Sequence, residues 1–163
     1  MNLAMEKWNR RPDEVKYLLN PAFCGLLIYT VVDEYIKKTK RTFPFSLSYL
    51  ILPLILPDDI RNSIDRTKYF SRWVQKNSSQ LISFSRVAKA LVPFTNETIE
   101  FLLQSSSIDL TSKGSFDVRS NALRKNINDS ELKDFMNKAR QIGRWFAENN
   151  DVTSIYICLG VRP

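Results

Sequence analysis

Asn20-Pro21-Ala22-Phe23-Cys24-Gly25-Leu26-Leu27-Ile28-Tyr29-Thr30-Val31-Val32 is the stretch that decides the fold class. Asparagine followed by proline is a helix start. The Asn side chain accepts from an orphaned backbone N–H, and proline in the first helical position sacrifices no hydrogen bond. Beyond that start the segment is apolar on nearly every face, which describes a helix surrounded by others rather than one lying on a surface. The chain is therefore read as mainly α, assembled around this helix. It emerges into solvent at Asp33-Glu34 and ends at Lys37-Lys38-Thr39-Lys40-Arg41, where cations suit the negative end of the helix dipole.

Working outward, Phe45 to Ile64 reads as an apolar helix interrupted at Pro53, a turn at Leu56-Pro57-Asp58, and a short helix from about Asp58. Lys68 to Lys76 and Ser79 to Leu91 suggest further helices. Pro93 is expected to break the chain, with Thr95 capping a new helix that carries Ile99, Leu102 and Leu103 at helical spacing and Glu97 in its first turn. The period then changes. Ile108-Asp109-Leu110 and Phe116-Asp117-Val118 alternate apolar with polar across Thr111-Ser112-Lys113-Gly114-Ser115, a β-hairpin pattern with glycine in the turn. Helices followed at once by a hairpin describe a winged-helix-like unit over about residues 68–119. An isolated surface hairpin inside a helical domain is the alternative, and the pattern leaves both open.

Asn128 and Glu131 have capping-box spacing ahead of an amphipathic helix with Leu132, Phe135, Met136, Ala139, Ile142, Gly143 and Phe146 on one face. The opposite side carries Lys133, Asn137, Arg140 and Arg144, a stripe of one sign. Trp145 falls off the apolar stripe and is a candidate contact for a partner or for the final segment. That segment reads as a helix from Asp151 or Thr153 to Leu159 stopped by Gly160, with a strand through Ile155 and Ile157 as the alternative. Free termini fray and are polar, whereas Trp145, Phe146, Ile155, Tyr156, Ile157 and Leu159 would expose a large apolar patch. The tail is expected to dock on its own core, and a partner chain covering part of it is the second, compatible expectation. The helix and tail over 129–163 thus belong to one domain spanning 1–163.

Composition narrows the chemistry. A chain of 163 residues with 44% hydrophobic content can bury one core without disulfides or metal. It contains no histidine, which excludes Ser-His-Asp and Cys-His nucleophiles, His-ligated metals and His proton shuttles. Cys24 and Cys158 lie far apart in apolar runs and read as buried, reduced thiols of a cytosolic protein. Gly25, Gly114, Gly143 and Gly160 build no phosphate-cradling loop, so no nucleotide cofactor is expected. The acidic pairs Asp13-Glu14, Asp33-Glu34 and Asp58-Asp59 are adjacent, point to different helix faces, and make a poor start for carboxylate and Mg²⁺ hydrolysis. No secretory signal follows Met1. The apolar runs Pro21–Val32 and Phe43–Pro57 fall short of the roughly 20 residues a spanning helix needs. A cytoplasmic protein without enzymatic activity is the expectation.

A net charge of +7 and a pI near 9.5 invite a nucleic-acid reading. The helix before the hairpin, taken as Thr95 to Ser107, contains Glu97 and Glu100 and no Lys or Arg, which argues against base readout in a groove. Non-specific phosphate contact is left to Lys113, Arg119, Arg124 and Lys125. Asn20-Pro21-Ala22-Phe23, the Leu52 to Leu56 run, Leu91-Val92-Pro93-Phe94-Thr95, Gly143-Arg144-Trp145-Phe146 and Leu159-Gly160-Val161-Arg162-Pro163 together resemble the middle component of bacterial three-component ABC systems. The resemblance runs from about Arg11 to Pro163. It implies an adaptor for a DNA-managing, SMC/Rad50-like ABC ATPase encoded beside it with a third component in a conflict or anti-phage defence module, with non-specific DNA contact through the complex left open. It brings no established catalytic residues. Arg140, Arg144, Trp145, Arg162 and Pro163 are the candidate partner contacts, and a stand-alone DNA-binding winged-helix regulator is the alternative function.

Overall fold

A computed structural model of the chain describes residues 19–119, 129–149 and 151–162. Helix α1 (Pro21–Thr39) starts as its sequence dictates, with Asn20 Oδ1 accepting from the Ala22 N–H at 2.8 Å and Pro21 in the first turn. It ends where Lys40 turns left-handed (φ 58°) and returns its N–H to the Ile36 carbonyl. Cys24, Leu27, Ile28, Val31 and Val32 are fully buried, so other elements enclose α1 on several sides. Its buried polar residue, Thr30, is satisfied locally, its hydroxyl donating to the Leu26 carbonyl at 2.7 Å.

After α1 come strand β1 (Phe43–Pro44), a 3-10 turn (Phe45–Leu50), and the short helices α2 (Ile51–Ile55), α3 (Asp58–Ser63) and α4 (Phe70–Lys76). Pro53 does not interrupt a helix. It sits in the first turn of α2, where backbone N–H groups have no helical partner to lose.

Helix α5 (Phe84–Gln104) overturns the expected break at Pro93, because it runs straight through that residue. Phe84, Ala88, Thr95, Thr98, Ile99 and Leu102 form one continuous buried stripe, and its packing against α1 and α2 outweighs the roughly 3 kcal/mol that proline costs a helix interior. Pro93 faces solvent, as does Lys89, whose carbonyl loses its donor there. Thr95 is consequently an interior residue, fully buried, and caps nothing.

The hairpin forms as read. Strands β2 (Ile108–Leu110) and β3 (Ser115–Val118) pair antiparallel, with Leu110 opposite Phe116, around a turn in which Gly114 takes φ 74°. It is not isolated, because β1 pairs antiparallel with β3, Phe43 opposite Phe116, giving the order β1-β3-β2. Residues between α1 and α2 therefore complete the sheet, and the hairpin-bearing unit draws on chain well before residue 68. Phe43, Ile108 and Phe116 plug the sheet into the helical core.

Helix α6 (Ser130–Glu148) is capped by Asp129, not by Asn128, which lies outside the described residues. Asp129 Oδ1 accepts from the N–H groups of Glu131 and Leu132 at 2.8 and 3.4 Å. Phe135, Met136, Ala139, Ile142 and Phe146 are buried as the periodicity requires. At Gly143 helices α1 and α6 nearly touch. A Cβ there would lie 2.8 Å from the Val31 carbonyl oxygen and 2.9 Å from Glu34 Cβ, so only glycine admits this approach of α1 and α6.

Helix α7 (Val152–Cys158) settles the last segment as helical. Asp151 caps it through the Thr153 N–H, and Gly160 (φ 68°) ends it, with Gly160 N bonded to the Ile157 carbonyl and Val161 N to the Tyr156 carbonyl, both at 3.0 Å. Ile155, Tyr156 and Leu159 are buried, and the Tyr156 hydroxyl donates to the Ser46 carbonyl, so the tail docks on this domain's own core. Ile157, by contrast, is 68% exposed. Cys158 is exposed as well, correcting its reading as a buried thiol: Ile155, Tyr156 and Leu159 turn inward on this helix and Cys158 points away.

Candidate functional site

Trp145 is not a surface residue. It is fully buried against Trp73 and Phe70, with ring centroids 4.8 and 5.7 Å away. It lies off the single-helix apolar stripe because α6 is packed on two sides, by α1 along the stripe and by α4 beside it. Its indole Nε1–H donates to the Thr67 carbonyl at 2.6 Å, which pins the α3–α4 loop to α6. Gln141 Nε2 reaches the same carbonyl at 3.4 Å, and Lys138 Nζ donates to the Ile64 carbonyl.

The loop is also braced from within. Asp65 Oδ1 accepts from the Thr67 N–H at 2.9 Å, and Asp65 Oδ2 from Lys76 Nζ at 3.1 Å. Burial pushes the Asp65 carboxyl up, but the bonds from Thr67 and the Lys76 charge outweigh it and hold the group below the usual carboxylate range.

Between this loop and the outer side of α6 opens a cleft of about 590 Å³. Arg66 and Lys68 stand on the loop wall; Lys138, Arg140 and Arg144 stand on the helix wall. The carboxylates on the lining are Asp65, already engaged by Lys76, and Glu148 at the far end, so the cleft is net positive. Arg144 Nε donates to Glu34 Oε1 at 3.0 Å, with the carboxylate 15% exposed, so this guanidinium is anchored where the helices meet at Gly143. Arg140 donates to Asn137 Oδ1 at 3.1 Å. Arg66 is exposed and has no ion pair among the described residues.

Of the residues expected at a partner surface, Arg140 and Arg144 meet in this cleft. Arg162 is exposed at the docked tail and is not part of the cleft lining. Among the described residues it has no ion pair, and Pro163 lies outside them. Of the expected phosphate contacts, Lys113 is exposed in the hairpin turn. Arg119 is engaged at the sheet by both oxygens of Asp109, at 3.1 and 3.2 Å. Arg124 and Lys125 lie outside the described residues, as does the pair Asp13-Glu14.

The helix before the hairpin is not free of cations. Because α5 begins at Phe84, it carries exposed Arg86 and Lys89 in its first half. The acidic pairs have structural partners: Asp33 binds Lys37 at 2.7 Å, Glu34 binds Arg144, and Asp58 binds Arg61 in the first turn of α3. Among the described residues no group of His, Cys, Asp or Glu is arranged to hold a metal ion, and no helix is long and apolar enough to cross a membrane.

Sequence reasoning missed Arg66, Lys68 and Lys138. The charged run Asp65-Arg66-Thr67-Lys68 was visible, as was the one-sign stripe on α6, but about seventy residues separate the two walls, and the bonds from Trp145, Gln141 and Lys138 that join them are tertiary.

No curated protein and no solved structure gives a significant match to the chain. A family model does, covering residues 8–163. The chain therefore belongs to the family described as ABC-three component (ABC-3C) system Middle Component 3, the kind of component that its sequence resembles.

Proposed function

We propose that this protein is a non-enzymatic, cytoplasmic adaptor that docks onto an SMC/Rad50-like ABC ATPase, with a third component, in a bacterial defence system. Family membership supplies the role of a component. The observation that carries docking is the C-terminus: Ile155, Tyr156 and Leu159 clamp it to the core while Ile157 and Arg162 are held out to solvent. An exposed arginine on a rigid mount is preorganised for a partner carboxylate. Co-expression with the neighbouring ATPase tests this. Deleting residues 160–163 should leave a folded domain that no longer co-purifies. Deleting 155–163 should also remove buried Ile155, Tyr156 and Leu159 and cost several kcal/mol, since each such side chain contributes roughly 1.5–3 kcal/mol. Normal co-purification of the shorter truncation would refute docking through the tail.

One observation favours a second reading, the DNA-binding winged-helix regulator. The order helix, strand, helices, hairpin, with β1 pairing β3, supports a winged-helix arrangement. Arg86 and Lys89 then fall on the N-terminal half of the helix before the wing, the half that contacts base edges in such modules. A footprint at one defined operator that is lost on Arg86→Ala/Lys89→Ala would establish it; weak, salt-sensitive binding to all sequences alike supports the adaptor.

A further inference from the structure

We propose that the cleft between the α3–α4 loop and α6 binds an acidic peptide segment of a partner protein, an inference that deepens the adaptor reading and rests on it. The cations sit on opposing walls, Arg66 and Lys68 on the loop, Arg140 and Arg144 on the helix, so one ligand meets both sets only by entering between them. The guanidinium groups present forked donors that match carboxylates in a bidentate manner. Among the described residues Arg66 has no ion pair and Arg140 is engaged by the neutral Asn137 side chain alone, so neither gives up a carboxylate of those residues to receive one from a ligand.

Shape chooses among anions. A duplex carries its phosphates on a convex cylinder and meets the rim of a cleft of about 590 Å³ rather than its walls. Single-stranded nucleic acid is held by stacking bases on aromatic rings, and the residues lining this cleft are charged, amide or aliphatic. An extended peptide matches it. The α6 wall from Asn137 to Glu148 is about 16 Å long at the helical rise, which accommodates about five residues of extended chain. Glu148 at one end sets polarity, repelling a carboxylate there and favouring a ligand whose acidic residues lie toward Arg140 and Arg66.

The walls are built to keep this geometry. Trp145 and Lys138 fix the loop backbone to α6, and Glu34 fixes Arg144 across the helix crossing. Rigid positioning of this kind lowers the ordering cost of binding. Association should weaken as salt rises, because the rim of the cleft is open to solvent.

The test uses the full chain, a hexaglutamate peptide, a duplex and a single-stranded oligonucleotide, and the neighbouring ATPase. Arg66→Glu/Arg140→Glu reverses charges that carry no core packing, so it should melt like the wild type. It should bind hexaglutamate at least about tenfold more weakly and lose the ATPase in pull-down. Arg66→Gln/Arg140→Gln, which removes charge without reversing it, should show the same order with a smaller loss. Hexaglutamate should displace the ATPase, and neither oligonucleotide should. Hexaglutamate binding equally to wild type and variants, or to neither, overturns the proposal; so does an oligonucleotide whose binding is lost in the double variant while the peptide fails. If the ATPase is captured equally by wild type and variant, the cleft proposal falls and the adaptor stands. If the wild type captures no ATPase yet binds hexaglutamate through Arg66 and Arg140, the adaptor reading falls and the acidic-peptide site stands.

Discussion

Replacing Gly143 by alanine should destabilise the protein, against the usual sign of that change in a helix. Alanine is favoured over glycine in a helix interior by roughly 1 kcal/mol, and α6 would gain that amount were position 143 free. It is not free. The added Cβ would lie 2.8 Å from the Val31 carbonyl oxygen and 2.9 Å from Glu34 Cβ, and a backbone oxygen held in the α1 hydrogen-bond ladder cannot rotate away. The helices must separate along the α1–α6 contact, which lies within the buried core. Forced overpacking costs about 1–3 kcal/mol, occasionally more, and prevails over the propensity gain. The net loss is the difference of the two, up to about 2 kcal/mol, a fall in Tm of up to about 8 °C at this chain length. Gly25 is the internal control. A Cβ there would meet the ends of the Leu102 and Phe101 side chains at 3.2 and 3.3 Å, groups that can give way, so Gly25→Ala should stay within about 1 kcal/mol of wild type. Thermal unfolding followed by far-UV circular dichroism reads both. Gly143→Ala melting at or above wild type, or Gly25→Ala losing more than Gly143→Ala, would refute the claim that helix approach fixes glycine at 143.

Trp145→Phe retains most of the ring packing but leaves the Thr67 carbonyl with only the 3.4 Å bond from Gln141. It should cost about 1–3 kcal/mol and weaken hexaglutamate binding through the loosened loop; binding unchanged in a destabilised variant would show that the loop needs no such anchor. The two thiols should differ in reactivity. Burial pushes the Cys24 thiol up to about 12, whereas Cys158 is exposed, so a thiol reagent should modify Cys158 in the native protein and Cys24 only on unfolding. Fast native labelling that persists in Cys158→Ser contradicts the buried placement of Cys24. Asp65 titrates below its ordinary value in the folded chain, so its stabilisation is present above the unfolded carboxylate pKa and is lost as pH falls through the folded one. Asp65→Asn should therefore melt below wild type near neutral pH, and the two curves should converge in strong acid. A constant gap across that range would mean that the ionised carboxylate contributes nothing.

The chain by itself determined everything that depends on neighbours in sequence. Asn20-Pro21 started α1, the alternation around Gly114 made the hairpin, the apolar period of α6 selected Phe135, Met136, Ala139, Ile142 and Phe146 for burial, and Gly160 stopped α7. Each rests on capping, turn geometry or a repeat of 3.6 or 2 residues, which a few adjacent side chains specify. Tertiary structure decided the rest. Pro93 is a breaker by local chemistry, and only the burial of α5 on both sides of it carries the helix through. Trp145 reads as stray on one helix until α4 arrives with Phe70 and Trp73 to cover it. The basic cleft exists because Trp145, Gln141 and Lys138 tie the α3–α4 loop to a helix more than seventy residues later, placing Arg66 and Arg140 on the lining of one cleft. Such contacts arise when distant surfaces are buried together, and no local pattern encodes which surfaces those are.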